Sequence, residues 1–239
     1  MIIETARLLL RPMEAGDCLD LLMTFGDPKV MAAFGVEPFR EPEMKRWVAR
    51  NLELQARHGY GLFSVIHTAD RTLIGDCGLE HREIEGAGEV ELGYDIRSEY
   101  WNRGLATEAA TAVRNYAFQR LEQPRLVSLI RLGNGASVRV AEKIGMHRSA
   151  EVLQGETRYW VYALERQDAP ASPSATSRRR RRRAAPSVSC TTGTGSRSTF
   201  RTAPSISPSP CWSSAARRWK RAETLPQGAR AAIETFHRR

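Results

Sequence analysis

The chain has 239 residues, 41% of them apolar, which is enough for one or two domains with a packed core. Its formal charge of +9 is unevenly distributed, because residues 1–166 hold 21 Lys and Arg against 24 Asp and Glu, whereas residues 167–239 hold 15 against 3. The charge therefore excludes a broad nucleic-acid-binding face on residues 1–166. Only residues 167–239 are basic enough to bind nucleic acid through their charge.

Cysteine usage and hydropathy exclude several further classes of protein. The four cysteines show no CxxC spacing and no nearby histidine pair, so neither a zinc site nor a disulfide framework is indicated; they are Cys18, Cys77, Cys190 and Cys211. The first residues are too charged for a signal peptide, and no stretch approaches the roughly 18 apolar residues of a membrane helix. We therefore expect a reduced, cytoplasmic protein with no metal and no membrane span.

The first sixty residues read as one strand followed by helices. Residues 7–12 predict the strand, and Asp17 and the pair at 27–28 are helix-start signals. Residues 41–57 place apolar side chains at helical spacing and end near Gly59, which suits a C-terminal cap. This region is therefore predicted to be largely helical.

The middle of the chain changes to strands. Residues 61–68, 72–82 and 89–96 are short, β-rich and separated by turn residues, which predicts an antiparallel meander. An amphipathic helix follows at 107–121, and a strand at 125–132.

The last predicted elements complete one domain. Residues 136–144 predict a second helix, and residues 145–166 predict two strands around a turn at Gly155. Together the elements predict a mixed α/β domain over residues 1–168, with a central, mainly antiparallel sheet flanked by helices.

The segment from 169 to 239 has a different composition. Ser, Pro, Ala, Thr and Arg dominate it, and residues 178–183 are six consecutive arginines. Such a segment cannot bury a core, which predicts a disordered, basic tail. Two interpretations stay open: frameshifted or non-selected sequence, because the bias resembles GC-rich DNA read in a wrong frame, or a basic arm making weak, salt-dependent contact with a ribosome or RNA.

The stretch at 91–118 carries the clearest chemistry, because a strand runs through a glycine-bearing loop into a helix. The unpaired N–H groups and the dipole of a helix start favour an anion there. Gly104 lets a phosphate approach, and Ala106 keeps the next inward position small. Arg103 either adds a charge-assisted contact to the phosphate or lies along the surface.

Two motifs resemble a known superfamily. Residues 101–106 (WNRGLA) match the glycine and alanine of the acetyl-CoA signature of the GCN5-related N-acetyltransferases (GNAT), although Trp101 stands where Gln or Arg is usual. Residues 134–146 (NGASVRVAEKIGM) match a second motif, an asparagine, two residues, a serine and a helix ending in Lys-Leu-Gly-Phe. From about Thr5 to Arg166 the chain resembles this superfamily, particularly its RimJ/RimL-like branch, which acetylates ribosomal-protein N-termini.

The resemblance implies a splayed GNAT-type sheet, acetyl-CoA as co-substrate, and direct attack of an amine on the thioester in a ternary complex. It implies that a strand edge near Tyr94 pairs with pantetheine, that Asn134 helps to hold this arm, and that Ser137 protonates the departing thiolate. The residues expected to bind acetyl-CoA are Tyr94, Asp95, Ile96, Trp101, Asn102, Arg103, Gly104, Leu105, Ala106, Thr107 and Asn134.

A general base is also expected, because an unperturbed amine is largely protonated at neutral pH. Glu91, Glu89 and Glu80 are candidates by strand position, and we favour Glu91, acting directly or through water. The alternative for Glu91 is a place on a solvated strand face. The corresponding alternatives for Asn134 and Ser137 are a helix cap and an ordinary first-turn residue.

The acceptor and the assembly stay open at this point. A protein N-terminus competes with a small amine as acceptor, and a monomer competes with a homodimer. A different class of function is a non-catalytic acetyl-CoA-binding protein, or a ribosome- or RNA-associated module acting through the basic tail.

Overall fold

A computed structural model describes residues 1–169, and the tail predicted from residue 169 onward lies outside the described residues except for Ala169. The described part alternates strands and helices in a mixed α/β fold, as predicted. Its elements are β1 Ile3–Glu4, β2 Leu8–Pro12, α1 Cys18–Phe25, α2 Pro28–Met31, α3 Glu41–His58, β3 Leu62–His67, β4 Thr72–Ile84, β5 Ala87–Ile96, α4 Leu105–Gln119, β6 Arg125–Arg131, α5 Gly135–Lys143, β7 His147–Gln154 and β8 Thr157–Glu165.

The eight strands form one sheet in the order β1-β2-β3-β4-β5-β6-β8-β7. Neighbouring strands pair antiparallel except β5 and β6, which run parallel. The prediction of an open, mainly antiparallel sheet is therefore confirmed. The parallel step at the centre is the feature that shapes the site described below.

Helices cover both faces of the sheet. On one face, α4 buries Val113 and Ala117 against a core that includes Leu92 and Ile96 of β5. On the other face, α1 and α3 bury a second core, which contains Leu21, Met44 and Leu62. Period-2 alternation along the strands produces this division: in β3, Phe63 and Val65 belong to the first core, whereas Leu62 and Ile66 pack into the second.

The local sequence explains where α3 begins and ends. Pro42 occupies its first turn, where a missing N–H costs nothing, and Glu43 accepts a hydrogen bond from the backbone N–H of Arg40 at 3.1 Å. Gly59 ends the helix in the left-handed conformation, with φ of 73°. These signals explain why the predicted helix ends agree with the observed ones to within one residue.

Gly75 allows β4 and β5 to approach each other closely. Its φ is 145°, and a Cβ built on it would lie 1.9 Å from the backbone oxygen of Asp95. The register between β3 and β4 also shifts here, between the partners of Val65 and Ile66. A residue without a side chain is therefore required beside Asp95.

We expect Gly75→Ala to destabilise the fold by about 3 kcal/mol, from backbone strain and overpacking together. Gly16→Ala is the matched control, because nothing lies within 4 Å of a Cβ at that position. Urea unfolding followed by circular dichroism measures both variants. Equal stability of the two variants would contradict the close approach of β4 and β5.

Candidate active site

A cleft opens where β5 and β6 diverge. Within the described residues the two strands share one register pair, Glu91 with Val127, and the hydroxyl of Ser128 donates to the Leu92 carbonyl at 2.6 Å. Beyond this point a cleft of ≈ 540 Å³ separates residues 92–96 of β5 from residues 128–131 of β6. The edge of β5 in the cleft is freed from pairing with β6, so an extended ligand can add to it as a strand does.

The loop at one end of the cleft presents backbone N–H groups. Asn102 and Gly104 both have positive φ, 60° and 76°, and Gly104 is the N-cap residue of α4. No side chain in the described part of the chain caps this helix, so its first N–H groups stay open to a ligand. A Cβ at Gly104 would meet only Arg7 Nη2, at 3.7 Å, which leaves room for a phosphate.

An ion pair from the N-terminus supports this loop. Arg7 Nη1 donates to the Arg103 carbonyl at 2.8 Å, and Arg7 Nη2 lies 2.6 Å from Glu108 Oε2 in the first turn of α4. The hydroxyl of Thr5 donates to the other oxygen of Glu108 at 2.6 Å. The segment before β2 therefore fixes the position of the loop relative to the sheet.

Aromatic side chains hold the other side of the loop. Trp101 Nε1 donates to the Ile96 carbonyl at 2.7 Å, and the hydroxyl of Tyr100 donates to Asp70 Oδ2 at 2.8 Å. The guanidinium of Arg103 lies over the Tyr100 ring, 5.1 Å from its centroid. Arg103 is thus directed along the surface, and it does not line the cleft.

Tyr94 and Asn134 fix α5 beside β5. The Asn134 side chain accepts a hydrogen bond from the Ser137 N–H at 3.1 Å, so Asn134 is the N-cap residue of α5. The hydroxyl of Tyr94 donates to the Ser137 carbonyl at 2.8 Å. Burial raises the pKa of Tyr94, so the phenol remains a neutral donor. Asn134 and Ser137 both line the cleft, so the capping role and a binding role are compatible.

Three carboxyl side chains line the cleft on β4 and β5. Both oxygens of Glu91 are engaged: Arg82 Nε donates to Oε2 at 2.5 Å, and the Leu129 N–H donates to Oε1 at 3.2 Å. Burial raises the pKa of Glu80. Burial, together with the carboxylates of Glu80 and Glu91, raises the pKa of Asp95 to about 7.

The structure brings together most of the residues that the sequence singled out. Those that line the cleft are Glu91, Tyr94, Asp95, Ile96, Trp101, Asn102, Gly104, Leu105, Ala106, Thr107, Asn134 and Ser137. Of the alternative bases, Glu80 lines the cleft, whereas Glu89 lies 3.4 Å from Arg125 Nε and does not.

Sequence reasoning missed Arg7, which supports the loop at residues 101–104 (the phosphate loop), and Arg82, which pairs with Glu91. Residues of the α2 region, among them Val30 and Phe34, also line the cleft. No local motif marks Arg7, because its partners Arg103 and Glu108 lie about a hundred residues away. Cross-strand pairing of Arg82 and Glu91 would have required the strand register, which a sequence pattern does not give.

Comparison with known proteins identifies the family. The family described as acetyltransferase (GNAT) domain matches residues 7–147. The chain belongs to the GNAT acetyltransferases. It is an N-acetyltransferase, and its family uses acetyl-CoA as co-substrate, which agrees with the open helix start at Gly104.

Individual known proteins are similar to about two thirds of this chain or slightly more. The uncharacterized protein YkkB of Bacillus subtilis is 37% identical over 163 residues, covering 66% of this chain and 92% of YkkB. A GNAT acetyltransferase structure from Bacillus anthracis has a TM-score of 0.60 at 27% identity, covering 70% of this chain and 99% of that one. The ribosomal-protein-S5-alanine acetyltransferase of Vibrio fischeri shares the fold, with a TM-score of 0.58 at 17% identity, covering 72% and 100% of the two chains.

Among residues 1–169, no three His, Cys, Asp or Glu side chains are grouped so that they could hold a metal ion. No helix in the same range combines the length and the apolar character that crossing a membrane requires.

We expect Gly104→Glu to weaken acetyl-CoA binding at least 100-fold, because its side chain would place bulk and negative charge where the pyrophosphate approaches. Gly104→Ala is the matched variant: it adds backbone strain but no charge, and we expect a loss within about tenfold. Calorimetric titration of acetyl-CoA measures both variants, with circular dichroism as the folding control. Unchanged affinity of Gly104→Glu would contradict the assigned phosphate site.

Proposed function

We propose that this protein transfers the acetyl group of acetyl-CoA to a primary amine by direct attack in a ternary complex. The observation that carries the proposal is the continuity of the cleft, which runs from the open helix start at Gly104, along the edge of β5, to the carboxyl groups of Glu91 and Asp95. A phosphate-binding end and a proton-accepting end are thereby joined by a strand edge. A transfer reaction between two bound reactants requires this arrangement.

The residues of the cleft have separate parts in this proposal. The N–H groups of residues 104–107 would bind the pyrophosphate, and the edge of β5 would align the pantetheine arm. A backbone N–H at Tyr94 or Asp95 would polarise the thioester carbonyl. Asn134 would help to hold the arm, and the hydroxyl of Ser137 would protonate the leaving thiolate. Acetyl-CoA supplies the activated acyl group when it is bound.

The carboxyl groups on β4 and β5 support a cationic acceptor. Glu80, Glu91 and Asp95 line the cleft, although Arg82, Arg131, Arg139 and Lys143 line it too, and residues 1–166 carry a formal charge of −3. The attraction for an ammonium group is therefore local to the three carboxyl groups and does not come from the cleft as a whole. A protein N-terminus and a small amine both satisfy this chemistry, and the fold shared with a ribosomal-protein acetyltransferase supports including the former.

The alternative function is acetyl-CoA binding without turnover, or association with a ribosome or RNA through the basic tail. The six arginines at 178–183 motivate the second possibility, and they lie outside the described residues. The cytoplasmic location, the monomer or homodimer, and the assignment to the RimJ/RimL-like branch stay predictions.

We expect the full-length protein to release free thiol from acetyl-CoA in the presence of a primary amine. The acceptors to compare are peptides with N-terminal serine or alanine and the polyamine spermidine, with mass spectrometry of the products. A truncation after residue 168 is the matched variant, and we expect it to retain activity on these acceptors. Saturable acetyl-CoA binding without thiol release on any of them would favour the non-catalytic alternative.

A further inference from the structure

The buried side chain of Asp76 on β4 has no role in the site described so far. Asp76 is 0% exposed, and neither of its carboxyl oxygens has a hydrogen-bond partner among residues 1–169. An ionised carboxylate in such a place would lose its hydration without compensation. Burial and the nearby carboxylates of Asp95 and Glu80 raise the pKa of Asp76 well above its usual range.

The strand register places Asp76 directly opposite Asp95 of β5. Side chains of directly opposite residues project from the same face of an antiparallel pair, with Cβ atoms about 5 Å apart. Two carboxyl groups in this relation cannot both ionise without mutual repulsion. Asp95 lines the cleft, whereas Asp76 lies behind it, so the two members of the pair differ in access to a substrate.

Ser64 does not supply the hydrogen bond that Asp76 lacks. It lies opposite Asp76 on β3, but its hydroxyl donates to Asp17 Oδ2 at 2.6 Å. Asp17 is in turn paired with Arg11, whose Nη1 donates to Asp17 Oδ2 at 2.8 Å. The positive charge in this region is therefore already committed to Asp17.

Both oxygens of Glu91 are already engaged by donors of the protein. An amine that approached Glu91 would have to displace its ion pair with Arg82 or its hydrogen bond from the Leu129 N–H. The pKa of Asp95, about 7, makes its carboxylate available at neutral pH and able to hold a proton. This is the range in which a general base works best near neutral pH.

We propose that Asp95, backed by the buried carboxyl of Asp76, accepts the proton of the amine that attacks the thioester. This assignment rests on the proposed acetyl transfer and replaces Glu91 as the favoured base. The lone pair of the neutral amine forms the new N–C bond, and the Asp95 carboxylate takes one proton from the nitrogen as positive charge develops there. The C–S bond then breaks, and the proton passes by way of the Ser137 hydroxyl to the departing sulfur, so free thiol leaves and the Asp95 carboxylate is restored.

Charged groups from several elements surround the pair, and they set the direction of any pH effect. The carboxylates of Glu80 and Glu91 oppose ionisation of Asp95, and Arg82 partly offsets them, because it pairs with both. The charged groups on the surrounding elements are Glu80 and Arg82 of β4, Glu91 of β5, Arg131 of β6, Arg139 and Lys143 of α5, Arg50 of α3, Arg11 of β2, Asp17 before α1, Asp20 of α1 and Arg97 after β5.

The test compares kcat/KM of the full-length wild-type protein and Asp95→Asn from pH 5.5 to pH 8.5, with whichever peptide or polyamine the wild type acetylates. The ionisation of the acceptor amine cancels in this ratio. We expect wild type to exceed Asp95→Asn about 100-fold at pH 8 and about tenfold at pH 6, because protonation of Asp95 removes the base from the wild type. Acetyl-CoA affinity should stay unchanged.

Three variants complete the test. Glu83→Gln, which removes an exposed carboxyl on β4, is the control that should behave as wild type. Glu91→Gln should keep an acid side to its profile, shifted to lower pH, because Asp95 is still present and has lost a neighbouring negative charge. If Asp95→Asn does not fold, Glu80→Gln replaces it, and removal of that negative charge should shift the acid side of the wild-type profile to lower pH.

A ratio for Asp95→Asn that does not change with pH, or loss of the acid side of the profile in Glu91→Gln, would overturn the assignment. An unmoved profile in Glu80→Gln would also overturn it where Asp95→Asn cannot be used. Absence of acetyl transfer by the wild type on every acceptor would instead contradict the proposed function. The two failures are therefore distinguishable.

Discussion

The divergence of β5 and β6 beyond Glu91 is the constraint on which the rest of the site depends. An uninterrupted ladder between the two strands would pair the backbone of residues 92–96 and close the sheet. The divergence leaves that edge open inside the protein, where α4 and α5 enclose it. An open strand edge is ordinarily a liability, and here a ligand of strand-like shape can satisfy it.

Contacts that are distant in sequence hold the two ends of this cleft in place. Arg7 joins the N-terminal segment to the Arg103 carbonyl and to Glu108, so the phosphate loop does not depend on its own sequence for support. At the other end, the close approach at Gly75 positions β4 beside Asp95. The binding end and the proton-accepting end are thus each fixed by residues that do not line the cleft.

The sequence predicted most of the fold, because the signals for the elements are local. Strand alternation and helix caps such as Gly59 gave the element positions, and the glycine motif located the start of α4, expected at 107 and observed at Leu105. The parallel pairing of β5 with β6 and the pairing of Asp76 with Asp95 were not predictable, because both depend on strand register. The sequence was sufficient to name most of the site residues. It did not show that Glu91, and not Asp95, is engaged in an ion pair with Arg82.

Hydrogen exchange of the full-length protein with and without acetyl-CoA tests the central claim most directly, because it reports on the backbone that the splayed strands leave open. The account predicts that saturating acetyl-CoA slows exchange in residues 92–96 of β5 and in residues 104–107 at the start of α4. Saturable binding with unchanged exchange in both segments would contradict the claim that the cleft between β5 and β6 is the cofactor site.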